Sequence, residues 1–168
     1  MSNPISRLLS AGTRSWLLLA LLIVVLDQWA KQLITQRFAE FESVVVLPFL
    51  DLMRLHNTGA AFSFLSTASG WQRWFFVALA VGVTIGILIW LWRLPHQGKN
   101  ILAAGLCCVM GGAVGNVIDR IFLGHVVDFI RVHYGAWYFP AFNVADSAIT
   151  VGAALLILDS LLQPKSAD

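Results

Sequence analysis

Apolar residues in this chain come in four long runs, separated by shorter stretches that hold most of its charge. Trp16–Leu26 carries no charged residue, and neither does Trp74–Trp92, nor Ile101–Ile118. A charge-free run of that second length, at a rise of ~1.5 Å per residue, reaches about 28 Å, close to the hydrocarbon thickness of a bilayer. The pattern predicts membrane helices over about 14–34, 72–93, 100–119 and 142–162. The connections are two longer outer loops, 35–71 and 120–141, and a tight inner turn at 94–99. The first run follows Arg7 and Arg14, as the core of a signal peptide would, but Asp27-Gln28-Trp29-Ala30-Lys31 stands where small residues should mark a cleavage site. A retained first helix is therefore expected, and the chain reads as one integral membrane domain over 1–168.

Within the first outer loop, Val44–Leu47 and Leu50–Leu55 are β-branched or roughly alternating and are broken by Pro48, which predicts two short strands. Asn57-Thr58-Gly59 signals a turn, and Ala60–Leu65 is expected to form a brief surface helix. In the third run Gly111 and Gly115 are four apart, a spacing that lets membrane helices approach closely. The fold class expected is mainly α, with four transmembrane helices.

Composition agrees. The chain is 58% hydrophobic and only 12% charged, with a mean hydropathy of +0.77. A soluble domain averages about 25% charged residues, so too few charges remain here to coat a globule. A net charge of +2 is too small to suggest a nucleic-acid partner. The seven tryptophans suit the membrane–water boundary. Cys107 and Cys108 are adjacent inside an apolar run and read as small apolar fillers. Four spans place both termini on one side together with the 94–99 turn. Arg7, Arg14, Arg93, Lys99 and Lys165 then concentrate there, so the positive-inside bias favours cytoplasmic termini. In that orientation Asp27, Asn116, Asp119, Asp128 and Asp146 gather near the outer surface, beside membrane lipids.

These acids carry the candidate chemistry. Asp128 and Asp146 lie in Val-Val-Asp-Phe and Val-Ala-Asp-Ser, where an ionised group costs roughly 2.5–3.5 kcal/mol at mid-membrane depth and less near the surface. Asp27 and Lys31 share a helix face and can neutralise each other. Asn143 is a favoured N-cap, which would put Asp146 in a first turn where negative charge is stabilised; Asp128 has no such local role. Arg120 and Arg131 can neutralise or orient nearby carboxylates. No serine sits in G-x-S-x-G, and the histidines His56, His96, His125 and His133 lack zinc-ligand spacing. What remains is carboxylate chemistry: two neighbouring acids resist joint ionisation, share one proton, and can activate water and polarise a carbonyl at once. Spacing leaves open which two of Asp119, Asp128 and Asp146 meet. A proton or ion transporter is the alternative, but its acids should lie near the midplane with paired repeats, and neither is seen in the sequence.

The strings Asn116-Val117-Ile118-Asp119-Arg120, Gly124-His125-Val126-Val127-Asp128-Phe129 and Phe142-Asn143-Val144-Ala145-Asp146-Ser147 resemble the motifs of bacterial prolipoprotein signal peptidase, signal peptidase II. Leu26-Asp27-Gln28 with Lys31, and Asn57-Thr58-Gly59-Ala60-Ala61-Phe62-Ser63, do so too. Ala30 stands where Ser or Thr often precedes the motif lysine. The resemblance implies an inner-membrane aspartyl peptidase that needs no metal or other cofactor. Its substrates would be prolipoproteins already carrying a diacylglyceryl group, cut just before the lipidated cysteine. It implies Asp128 and Asp146 as the catalytic pair, with Asp27, Lys31, Asn57, Gly112, Asn116, Arg120 and Asn143 in supporting or substrate-binding positions. Asp119 matches a family position outside the pair. It also implies a small extracytoplasmic β-sheet cradle beside the short surface helix, a site near the periplasmic face, and a monomer.

Overall fold

The computed structural model describes residues 11–59, 70–94 and 99–162. The surface helix expected at 60–65 lies outside the described residues. Four long helices dominate: α1 (Ala11–Arg37), α2 (Trp71–Arg93), α3 (Asn100–Phe122) and α4 (Val144–Leu162). All four are long and apolar enough to cross a membrane, and the chain is a multi-pass membrane protein. Their outward faces carry Leu18, Leu21 and Leu22 on α1, Trp74 and Leu79 on α2, and Ile157 and Leu161 on α4, all exposed. Such faces are stable only against lipid.

The helices are not equivalent. In α3, 61% of the apolar stretch is buried, against 17–22% in the others, so α3 is the axis around which α1, α2 and α4 pack. Its glycines explain why. A methyl at Gly111 would meet the Ala20 carbonyl of α1 at 2.9 Å, and one at Gly105 would meet the Gly152 carbonyl of α4 at 3.0 Å. One at Gly112 would drive into the carbonyl oxygen of Ala145. Gly111 and Gly115 thus face α1, whereas Gly105 and Gly112 face α4, and helix backbones touch on both sides. Ala20, Ile87, Leu91, Leu106, Cys107 and Met110 fill the space left between the helices. Both cysteines are free and buried.

A four-stranded antiparallel sheet covers one end of the bundle, in the order β1 (Ser43–Leu47), β2 (Leu50–Asn57), β3 (Val126–Tyr134), β4 (Trp137–Tyr138). The two strands expected at 44–55 are β1 and β2. The second outer loop contains β3, which pairs with β2 from Leu50↔Val132 to Asn57↔Val126. Gly135, at φ 58°, makes the turn into β4. This register sets Asp128 opposite Leu55, with Asn57 two residues further along β2. An Ile130↔Phe142 bridge then returns the chain to the start of α4. Ile34, Val127 and Phe129 form a second apolar cluster that ties the sheet to α1.

Asp51, on β2, is buried beneath the sheet's outer half. Its carboxylate accepts hydrogen bonds from Arg131 Nη2 at 2.6 Å and Nε at 3.0 Å, and His133 Nε2 lies 3.2 Å away. The Arg131 hydrogen bonds, with the charge of His133, hold its carboxyl below the usual range against the opposing effect of burial. The cross-strand contact fastens β2 to β3 away from the end where Asp128 lies.

Candidate active site

The site forms where the C-terminal ends of α1 and α3, the start of β3 and the N-terminus of α4 converge. Asn143 caps α4 as the sequence predicts. Its Oδ1 accepts the Asp146 N–H at 2.9 Å, and the Asn143 N–H points back to Asp146 Oδ2 at 3.4 Å, a reciprocal cap of the first turn. The remaining polar atom of the same side chain, Nδ2, donates to Asp128 Oδ1 at 2.7 Å. One fully buried asparagine therefore links the two acids. Asn116 supports the other side, donating from Nδ2 to Asp146 Oδ1 at 2.8 Å. Asn57 Nδ2 donates to Asp128 Oδ2 at 2.9 Å, while its Oδ1 accepts the Gly59 N–H at 2.9 Å. Asn57-Thr58-Gly59 is thus a side-chain-held turn that aims an amide at the acid.

Asp128 is 1% exposed. Burial, reinforced by the neighbouring charge of Asp146, pushes its carboxyl up to about 7; the Asn57 and Asn143 hydrogen bonds and the Lys31 charge pull the other way. This is the signature of a carboxyl that holds a proton near neutral pH.

Asp27 and Lys31 pair at 2.8 Å, as their spacing predicts, but Lys31 also lies 3.0 Å from Asp119 and donates to Asn116 Oδ1 at 3.0 Å. Gln28 adds donors to Asp119 Oδ1 at 2.9 Å and Asp27 Oδ2 at 3.2 Å. Gln28 is the member that spacing did not single out, because the Asp119 carboxylate it meets is distant in sequence. Arg120 Nη2 donates to the Gly59 carbonyl at 2.7 Å and its guanidinium lies over Phe76, 5.0 Å from the ring centroid. Its Nε has no hydrogen-bond partner among the described residues.

A cavity of about 500 Å³ opens beside these residues. Asn57, Asn116, Arg120 and Asp146 form its polar end; Leu79, Val83, Val109 and Ile149 belong to its apolar wall between α2, α3 and α4. Asp128 is set back from the wall, behind Asn57. Gly112 contributes no functional group: it lets α4 approach α3 so closely that Asp146, the residue after Ala145, reaches Asn116. His56 and His125, unrelated in sequence, stack with ring centroids 3.8 Å apart, and His56 Nδ1 lies 2.8 Å from Glu40. Burial and the His56 charge push the His125 imidazole down. Among the described residues no group of three or more His, Cys, Asp and Glu is arranged to hold a metal ion.

The family model described as Signal peptidase (SPase) II matches residues 19–162, which spans every residue of this site. The chain belongs to the signal peptidase II family. Among its relatives, a protein of Burkholderia cenocepacia (strain HI2424) named lipoprotein signal peptidase is 48% identical over 167 residues, 99% of each chain. One of Ectopseudomonas mendocina (strain ymp), of the same name, is 49% identical over 158 residues, 93% of each. Two solved structures of bacterial membrane enzymes, obtained by the in meso method, superpose with TM-scores of 0.79 and 0.76 at 29% and 31% identity. They cover 92% and 89% of this chain and 94% of each solved chain. The signal peptidase II assignment makes the chain a peptidase, and the aspartic type agrees with its paired acids.

Proposed function

We propose that this enzyme removes the signal peptide from diacylglyceryl-modified prolipoproteins by cutting just before the lipidated cysteine, with Asp128 and Asp146 as the catalytic pair. The observation that carries the reading is the Asn143 side chain, which donates to the Asp128 carboxylate and accepts the backbone N–H of Asp146, beside an Asp128 carboxyl pushed up to about 7. Asp128 is the seat of the shared proton and Asp146, on the cavity wall, is the base. Asp146 takes a proton from water as the water oxygen adds to the scissile carbonyl carbon, and Asp128 gives its proton to the carbonyl oxygen. The tetrahedral intermediate collapses as Asp146 returns the proton to the departing amine nitrogen, the C–N bond breaks, and Asp128 recovers the hydroxyl proton. No covalent enzyme intermediate forms and no metal is required by this route.

The apolar wall between α2, α3 and α4 suits the apolar segment of a signal peptide, and the open side of the cavity admits it from the lipid. Asn57 has to yield as substrate enters, because it stands between Asp128 and the cavity. Arg120 Nε then has a carbonyl within reach as acceptor. With cytoplasmic termini, as the basic residues favour, the site lies near the periplasmic face of the inner membrane.

The test is cleavage of a purified, lipidated precursor. Asp128→Asn and Asp146→Asn should each abolish product while the protein stays folded in detergent, and EDTA should leave the wild-type rate unchanged. Wild-type rates in either variant would overturn the pair.

A further inference from the structure

The ion pair at Lys31 holds the residues that precede the two proposed catalytic acids, in a way that no role assigned so far explains. Asp27 Oδ1 accepts the backbone N–H of Ala145 at 2.8 Å, and Ala145 is the residue before Asp146. Asp119 Oδ2 accepts the backbone N–H of Val127 at 3.1 Å, and Val127 is the residue before Asp128. Lys31 Nζ joins the two carboxylates, at 2.8 and 3.0 Å. The start of α4 and the start of β3 are thereby fastened to opposite ends of one buried bridge. All three side chains are at most 4% exposed. Gly115 makes room for the bridge, since a methyl there would lie 2.7 Å from Asp27 Oδ2.

We infer that Asp27, Lys31 and Asp119 form a bracket that sets the distance between the Asp128 and Asp146 carboxylates, and that Asp119 is a positioning residue for the reaction. The inference rests on the Asp128–Asp146 reading. Three features support it over simple neutralisation. Two carboxylates surround one ammonium, so Asp119 is not needed to balance Lys31, which Asp27 already pairs. Among the described residues every polar partner of the Asp119 carboxylate is a donor: Gln28 Nε2, Val127 N and Lys31 Nζ. Both oxygens are used, and an amide could not serve all three. Finally, Lys31 also donates to Asn116, which in turn donates to Asp146, so the bracket fixes the side chain as well as the backbone on that side.

Asp119→Asn leaves the Asp27–Lys31 pair and every cavity-lining residue in place. Loosening the bracket misplaces the acids without altering the pocket. The expected result is a kcat lowered by about tenfold to a hundredfold, as a displacement near 1 Å produces, with KM for the lipidated precursor held within about twofold and the melting temperature close to wild type. Because separation relieves the repulsion that Asp146 exerts on Asp128, the alkaline limb of the kcat profile should also move to lower pH. The groups that face Asp128 and contribute to that limb are Asp146, Lys31, Asn57, Asn143 and Arg120. A wild-type kcat in the folded variant overturns the bracket. Asp119→Glu keeps the charge and lengthens the arm, and decides the matter should the amide variant fold poorly: lowered kcat at constant KM supports positioning, wild-type kcat refutes it. Asp128→Asn and Asp146→Asn in the same assay separate the two failures. If they are inactive and Asp119→Asn is not impaired, only the bracket falls; if they are active, the catalytic pair falls first.

Discussion

Asn143→Ala removes two short hydrogen bonds, along with longer ones from Nδ2 to Asn116 Oδ1 at 3.3 Å and the Val127 carbonyl at 3.4 Å, and the two short ones are read by different measurements. The first is the cap on α4, through the Asp146 N–H at 2.9 Å; losing an asparagine cap costs about 1 kcal/mol, independent of pH. The second is the 2.7 Å bond to Asp128. A hydrogen bond to a charged group contributes about 1.5–3 kcal/mol, and 1.36 kcal/mol corresponds to one pKa unit, so the gross effect is about one to two units. The Asn57 donor at 2.9 Å remains, and water entering the vacated space recovers part of the loss, leaving about one unit. The sign follows from what the bond favours. It stabilises the ionised form, so its removal raises the carboxyl from about 7 towards about 8. With Asp128 as the proton donor, the alkaline limb of kcat should move up by that amount while the acid limb stays. The assay is kcat against pH with a lipidated precursor, with melting temperature measured in parallel. An alkaline limb that stays fixed or moves down in a folded variant would refute the reasoning. A rising acid limb would show that Asp128 is the base instead.

Two further outcomes follow from burial and close approach. The Asp128 carboxyl, raised in the folded state from its ordinary 3.8 to about 7, destabilises the fold as pH climbs between those values, because the folded state binds the proton that the unfolded state has released. Asp128→Asn lacks this slope, so its melting temperature relative to wild type should rise between pH 4 and pH 7 and level off above; a constant difference would show that Asp128 is not raised. Gly112→Ala forces a methyl against the Ala145 carbonyl and to 2.7 Å from Ile149 Cγ1, which should cost about 1–3 kcal/mol and, by moving Asp146, reduce kcat by about tenfold or more. Gly82→Ala on α2, with nothing within 4 Å, is the control and should keep full activity.

The helices were legible because a bilayer demands long apolar runs, and nothing else in a chain this size produces them. The cap at Asn143 was legible because it is local: the atoms that satisfy it lie three residues away. β3 was less so. Val126-Val127-Asp128-Phe129-Ile130 has the β-branched content of a strand, but the acid at its centre drew attention to chemistry instead of pairing. The choice of Asp128 over Asp119 as partner for Asp146 was not accessible to spacing at all and came from family resemblance. Among the described residues Asp119 receives three donors, one of them an ammonium, whereas Asp128 receives only amide donors and keeps its elevated affinity for a proton, which supports the proposed choice. Asp51, Gln28 and the His56–His125 stack were hidden for a common reason. Their contacts join β2 to β3, α1 to α3, and the end of β2 to the residue before β3, and no local pattern encodes such pairings.

The glycine contacts of α3 also bear on how the protein is made. Asp27 and Lys31 enter the membrane with the first helix, long before the ribosome has reached Ala145, whose amide Asp27 finally captures. Until α4 inserts, Gly112 and Gly105 lack the α4 backbone, Asp27 Oδ1 lacks the Ala145 N–H that it accepts, and Asp146 is not yet beside Asn116. Of the four helices, α4 is therefore the one whose synthesis completes the proposed centre, so the peptidase stays inert under this proposal until α4 has joined α1 and α3.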